Sequence, residues 1–299
     1  MKRSMLDRVF QQESINFLLT NRIPRRLATQ FVGWLSRIEE PLMRCASMTL
    51  WQLFAGRLDL HEAKKTRFTS LHDCFIRELK EGARPVDAAA DVIVSPCDGI
   101  VGASGRICGT ELIQAKGFPY TLDDLLGDPR LTAMYRDGHY VTLRLTSTMY
   151  HRFHAPCDCE LDEVIYISGD TWNVNPIALR RIERLFCKNE RAVLHATVNR
   201  SDQSLALVPV AAILVGSIHL HFIGTPLTLA YGGPNRLTCR ASFRKGDEMG
   251  YFHHGSTIIV FGTSGLELCE TVREHATIRM GHALMRHARP AATSLSRQR

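Results

Sequence analysis

The residues whose types and spacing could do chemistry are a serine, two histidines and an aspartate. The serine is Ser256. It follows Gly255 at the end of Lys245-Gly246-Asp247-Glu248-Met249-Gly250-Tyr251-Phe252-His253-His254-Gly255-Ser256-Thr257, just before the apolar run Ile258-Ile259-Val260-Phe261. The histidines are His151 and His154, in His151-Arg152-Phe153-His154. The aspartate is Asp98, in Ser95-Pro96-Cys97-Asp98-Gly99. A serine hydroxyl is a poor nucleophile at neutral pH and needs a base, most often an imidazole. A glycine before it has no Cβ and allows the strained approach that an attack on the preceding carbonyl requires. Each residue also has an ordinary reading. A Gly-Ser pair before a strand is commonly a turn, an aspartate before glycine commonly shapes one, and a lone histidine is commonly structural. His151 and His154 would share one side of a helical turn or face opposite sides of a strand. As metal ligands they lack an evident third partner, and no metal is expected.

Two textures of chain must position these residues. Up to about residue 80 the pattern is helical. Ile15, Leu18, Leu19 and Ile23, then Leu27, Phe31, Trp34, Leu35 and Ile38, recur at helical spacing, with Pro24 and Pro41 as punctuation. Arg22, Arg25, Arg26 and Arg37 accompany them, and Leu50-Trp51-Gln52-Leu53-Phe54 is a second apolar stretch. Such a helix either packs on its own domain or lies in a membrane surface with arginines near the headgroups. From about residue 90 the pattern is β. Val92–Val94, Tyr140–Leu143, Val164–Ile167, Ala192–Leu194, Val208–Val215 and Thr257–Val260 read as strands. Helices are predicted over Leu122–Leu126, with Thr121 as cap, and over Ala178–Phe186. The fold class is α+β: an amphipathic helical N-terminal region, 1–80, a β-rich domain, 81–286, which holds the candidate chemistry, and a polar tail, 287–299.

Composition narrows the partners. The 299 residues carry a net charge of +7, which favours anionic partners without choosing among them. No zinc-finger spacing or RNA-recognition signature is present, and no nucleic acid is expected. Nine cysteines, an odd number with no secretory signal pattern, argue against a disulfide scaffold. Cys157-Asp158-Cys159 is half a metal site without a second half. The apolar run Leu205–Ile218 is too short to span a bilayer and is interrupted by Pro209 and Gly216.

Over roughly residues 26–283 the chain resembles the phosphatidylserine decarboxylases, a pyruvoyl-dependent family. Five segments carry the likeness: Phe75-Ile76-Arg77-Glu78-Leu79-Lys80 leading into Arg84-Pro85-Val86-Asp87; Ser95-Pro96-Cys97-Asp98-Gly99; Gln114-Ala115-Lys116-Gly117; Tyr150-His151-Arg152-Phe153-His154-Ala155-Pro156; and Lys245–Thr257. Val174-Asn175-Pro176 and Phe186-x-x-Asn189-Glu190-Arg191 add to it. Two positions depart from the family pattern. His254 stands where a small or apolar residue is usual, and Ser147-Thr148-Met149 replaces Pro-x-Asp. His254 is placed to alter the rate or pH dependence of processing, while neither change removes a residue the chemistry needs.

The resemblance implies a proenzyme that cuts itself between Gly255 and Ser256. The products would be a β chain, 1–255, and an α chain, 256–299, whose first residue, Ser256, becomes a pyruvoyl cofactor. It further implies a triad of Asp98, His154 and Ser256, with His154 as base and Asp98 orienting the ring. His151 would serve decarboxylation and protonation. The substrate amine would form a Schiff base with the pyruvoyl ketone, which accepts the electrons left by CO2. Phosphatidylserine would become phosphatidylethanolamine. The expected setting is the cytoplasmic side of a bacterial cell membrane, with peripheral attachment to an anionic surface and a homodimer of α/β units. A soluble amino acid as substrate, a serine hydrolase keeping Ser256 intact, and a non-catalytic lipid-binding relative are the alternatives.

Overall fold

A computed structural model describes residues 17, 24–55, 58, 60–115, 118–213, 217–253 and 256–288. Lys116, Gly117, Leu214, Val215, Gly216, His254, Gly255, residues 289–299 and the apolar positions Ile15, Leu18, Leu19 and Ile23 lie outside the described residues.

The helical stretch yields α1 (Arg25–Leu35), α2 (Pro41–Ala55) and the one-turn α3 (Leu71–Phe75). Pro24 stands at the N-cap of α1 and Pro41 opens α2, as the punctuation predicts. The packing of α1 is inverted. Leu27, Phe31 and Trp34 are 66, 58 and 61% exposed, whereas Thr29 and Ser36 are buried and Arg25 reaches inward to Asp170. Helix α2 does the same with Leu42, Met43, Leu50 and Leu53. Spacings of four, three and seven residues put the α1 set on a single stripe, and Leu42, Met43, Leu50 and Leu53 fall within about 100° of one another around α2. Among the described residues no helix is long and apolar enough to cross a membrane.

The β-rich part opens with β1 (Val92–Val94), β2 (Gly99–Arg106), β3 (Glu111–Ala115) and β4 (Phe118–Thr121). Helices α4 (Leu122–Leu126) and α5 (Pro129–Tyr135) come next, then β5 (His139–Arg144), β6 (Arg152–His154) and β7 (Cys159–Ile167). After α6 (Pro176–Leu179) and α7 (Leu185–Lys188) come β8 (Arg191–Val198), β9 (Ser204–Val210), β10 (Ser217–Leu220) and β11 (Leu227–Thr228). The last strands are β12 (Arg236–Phe243), β13 (Glu248–Phe252), β14 (Thr257–Gly262), β15 (Leu266–Leu268), β16 (Thr277–Ile278) and β17 (Ala283–His287). An eight-stranded antiparallel sheet, β12-β7-β8-β9-β14-β5-β2-β16, carries the core. Strand β14 sits at its centre with every residue buried, so its apolar run needs no alternation. Beside it lie a four-stranded sheet, β11-β10-β13-β6, and a three-stranded one, β1-β17-β15.

The predicted α+β layout holds, and α4 forms with Thr121 accepting from the Asp124 amide. Two expectations need correction. The helix over Ala178–Phe186 is two short helices, because the buried Gln114 amide clamps the break. Its Nε2 donates to the carbonyls of Leu179 and Ile182, and its Oε1 accepts from the Leu185 N–H. The strand expected over Val208–Val215 begins earlier and ends at Val210, where the Ala211 N–H turns to the Glu190 carbonyl. All nine cysteines are free thiols.

Candidate active site

Ser256 stands immediately before β14, and its carbonyl accepts from the Leu145 N–H at 2.8 Å. The residue is fully buried, and its Oγ has no hydrogen-bond partner among the described residues. The neighbouring Thr257 hydroxyl is in the same state. A buried hydroxyl without a partner costs roughly 1–3 kcal/mol, so native proteins seldom keep one without a use. Upstream, β13 ends at Phe252, and the chain crosses from the four-stranded sheet to the centre of the eight-stranded one within the residues that precede Ser256. Gly250 permits the tight β10–β13 pairing before that crossing. A Cβ there would lie 2.0 Å from the His219 carbonyl oxygen.

His151 is tied to the same strand, its carbonyl accepting from the Phe252 N–H at 3.0 Å. Its ring is fully buried, and neither nitrogen meets a hydrogen-bond partner at bonding geometry among the described residues. Phe75 of α3 meets the ring edge-on at a centroid distance of 5.3 Å, and Trp51 of α2 packs on Phe75 at 4.1 Å. Burial pushes the His151 pKa down to about 3, and the positive charge of Arg77 adds to the shift; the Met149 carbonyl pulls the other way too weakly to offset them. The ring is neutral at pH 7.

His154 closes β6. Its Nδ1 bonds the Gly246 carbonyl at 2.8 Å and its Nε2 meets the Tyr150 hydroxyl at 2.9 Å. A carbonyl can only accept, so Nδ1 carries the ring hydrogen and Nε2 is the basic atom. Gly246 presents that carbonyl from a left-handed turn, φ 91°. Burial lowers the His154 pKa. The Gly246 bond, Glu248 and Asp98 counter burial, while Arg152 works with it.

Asp98 lies beside His154 in the chain path, since the His154 N–H donates to the Pro96 carbonyl. Its carboxylate, however, is bonded elsewhere. Arg84 clamps it with Nε–Oδ1 at 2.8 Å and Nη2–Oδ2 at 2.6 Å, and the Met280 N–H donates to Oδ1 at 2.9 Å. Glu62 takes the remaining Arg84 nitrogen at 2.8 Å. Burial alone would weaken the Arg84 charge, but the two carboxylates hold its pKa above the ordinary value.

Backbone hydrogen bonds thus bring His151 to the strand leading into Ser256, and His154 to the loop of Asp98. The ring hydrogen that the resemblance assigns to Asp98 goes to Gly246, and Asp98 acts on His154 through space. The peptide before Ser256 lies outside the described residues. Arg84, Tyr150 and the Gly246 carbonyl were given no role by sequence reasoning. Each lies inside a segment that carries the resemblance, and that position is the one signal that could have found it.

The family model described as phosphatidylserine decarboxylase matches residues 71–286. A phosphatidylserine decarboxylase proenzyme of Vibrio cholerae is 35% identical over 271 residues, covering 87% of this chain and 94% of the relative. One from Coxiella burnetii is 38% identical over 244 residues, covering 80 and 86%. One from Aliivibrio fischeri is 32% identical over 271 residues, covering 87 and 91%.

Proposed function

This chain belongs to the phosphatidylserine decarboxylase family, and we propose that it makes its cofactor at Ser256 and decarboxylates phosphatidylserine at a membrane surface. The family's activity is pyruvoyl-dependent and follows self-cleavage. The observation that carries the reading here is the Ser256 hydroxyl, buried and without a partner among the described residues, at the mouth of a central strand and preceded in sequence by glycine. A serine so placed fits conversion to a pyruvoyl group.

Ser256 Oγ attacks the Gly255 carbonyl carbon, and the C–N bond gives way to an ester. Its proton goes to the basic Nε2 of His154, whose Nδ1–H is held by Gly246. Asp98, fixed by Arg84, stabilises the resulting imidazolium across space. Loss of the Cα proton then expels the Gly255 carboxylate, and water replaces the nitrogen of residue 256 as ammonia.

The pyruvoyl group, once formed, supplies the carbonyl that takes the substrate amine and draws off the electrons CO2 leaves behind. His151 manages the proton. As a neutral ring it can accept the hydrogen that the substrate ammonium must lose, and the incoming carboxylate raises its basicity. When CO2 departs, the charged ring is left against Phe75, itself backed by Trp51, an apolar setting that favours handing the proton to Cα.

The outward stripes of α1 and α2 suit contact with acyl chains, and the +7 net charge suits an anionic surface. A peripheral membrane position, cytoplasmic in a bacterial cell, and a homodimer of α/β units belong to the same reading. Intact-mass measurement of the wild type and Ser256→Ala tests it. Two wild-type fragments divided at residue 255, with a pyruvoyl on the shorter and no division in the variant, are the expected result. A single unmodified wild-type chain overturns it.

A further inference from the structure

We propose that Arg37, His72 and His253 form a seat for the phosphodiester of the substrate headgroup, at the opposite end of α3 from the decarboxylation histidine. The proposal rests on the decarboxylase reading and names the contact that would select a glycerophospholipid over a free amino acid.

Helix α3 spans both ends of the site. His72 and Phe75 are three residues apart and so share one side of its single turn. Phe75 touches His151, while His72 meets the His253 ring edge-on at 4.7 Å. His253 stands three residues before Ser256. Arg37 follows α1 and directs Nη2 to His253 Nδ1 at 3.5 Å, and Ser217 Oγ bonds the same nitrogen. The His72 N–H donates to the Ser36 carbonyl at 2.8 Å, which fixes α3 against the end of α1. Nδ1 of His253 therefore accepts, and Nε2 carries the ring hydrogen.

The cluster holds one permanent positive charge and two latent ones. His253 faces His72, Arg37 and His219, all of which disfavour its protonation. His72 faces Arg37 and Asp73, and the Asp73 carboxylate is engaged by Lys65 Nζ at 2.9 Å and the Thr69 N–H at 3.0 Å. Burial and these neighbours put His72 at about 4 and His253 at about 3. Among the described residues Arg37 has no carboxylate partner. An oxyanion placed here would pair with Arg37 and favour the charged forms of both rings, so its binding takes up protons. Arg37 also stands three residues after Trp34, the last member of the exposed stripe of α1. A stripe resting in acyl chains would carry Arg37 at the level of the phosphates.

The test measures CO2 release from phosphatidylserine in non-ionic detergent micelles, with Arg37→Gln, His72→Gln and the double variant, each first checked for self-cleavage by mass. The double variant is expected to cleave normally and to raise KM by about tenfold or more, with kcat within about threefold. The wild-type KM should fall between about pH 8 and about pH 6, and fall less in His72→Gln. Soluble sn-glycero-3-phosphoserine should compete far better than inorganic phosphate. An unchanged KM overturns the proposal. Uncleaved variants reassign the cluster to processing and also overturn it. Equal competition by inorganic phosphate would make this a free-anion site. If the wild type itself does not cleave, the decarboxylase reading fails. Phosphorus NMR binding of sn-glycero-3-phosphoethanolamine then decides the seat alone: binding lost in Arg37→Gln sustains it, and no wild-type binding ends it.

Discussion

Two buried polar groups lie close together in this molecule and are treated in opposite ways. Around Asp98 every charge is answered: Arg84 grips the carboxylate, Glu62 takes the rest of the guanidinium, and the Met280 amide completes the set. Around Ser256 and His151 the hydroxyl and both ring nitrogens stand without partners among the described residues. A satisfied buried network rigidifies its surroundings, whereas an unsatisfied one stores the cost of desolvation until something else supplies the bonds. The first group is frame and the second is reagent. A fold that leaves one cluster short of partners while completing its neighbour is spending stability where chemistry is to happen.

That contrast can be broken in several ways. The largest effect is expected from His151→Phe, which keeps the aromatic packing and removes the proton carrier. Chain cleavage should persist by mass analysis, while CO2 release falls by about 10²–10⁴-fold. Comparable loss of cleavage would show that the two histidines do not divide the work. Arg84→Met attacks the frame instead. It leaves Asp98 and Glu62 buried without their cation and should cost about 3–5 kcal/mol in denaturant unfolding. A loss under about 1 kcal/mol would mean that the network is not structural.

Acid should weaken the reagent side. The His151 pKa, about 3 when folded, lies below its ordinary value of 6.5. The unfolded chain therefore binds a proton that the folded one refuses. Stability is complete above about pH 6.5 and drains away as pH falls toward 3, with about 2 kcal/mol lost from this ring by pH 5. The melting temperature of wild type should fall relative to that of His151→Phe as pH drops through that window, so that the two curves diverge in the variant's favour. The smallest effect on stability should come from Phe31→Ser with Trp34→Ser. Both residues are exposed, so unfolding should move by no more than about 0.5 kcal/mol while sedimentation with anionic vesicles is lost. A large drop in melting temperature would place that face against protein.

Local signals were legible where local physics decides the outcome. The stripe Leu27, Phe31, Trp34 announced α1, Thr121 announced the start of α4, and the apolar run after Ser256 announced a buried strand. Which side of α1 faces outward was not legible, since the same stripe fits a core or a lipid surface. The break between α6 and α7 was invisible because Gln114, far away in sequence, imposes it. The same holds for the site. The resemblance pointed to Ser256, His151, His154 and Asp98, which residue type alone would have left with ordinary readings. The partners that set their states, Arg84 on Asp98, Gly246 on His154 and Phe75 on His151, arrive through long-range pairing that no spacing encodes.

The position of β14 has a consequence for assembly. The described strands after Gly255 are woven through the rest of the molecule: β14 between β9 and β5, β16 beside β2, and β17 beside β1. A cut before Ser256 therefore severs the covalent thread without loosening the cloth. The shorter piece is a keystone, and extracting it means dismantling two sheets at once. Refolding from denaturant then becomes a second-order encounter between unequal fragments, one of them lacking the middle of its own sheet. The uncut chain alone can reach this topology at a rate independent of concentration. Folding must precede cutting, and a mature molecule once unravelled should seldom return.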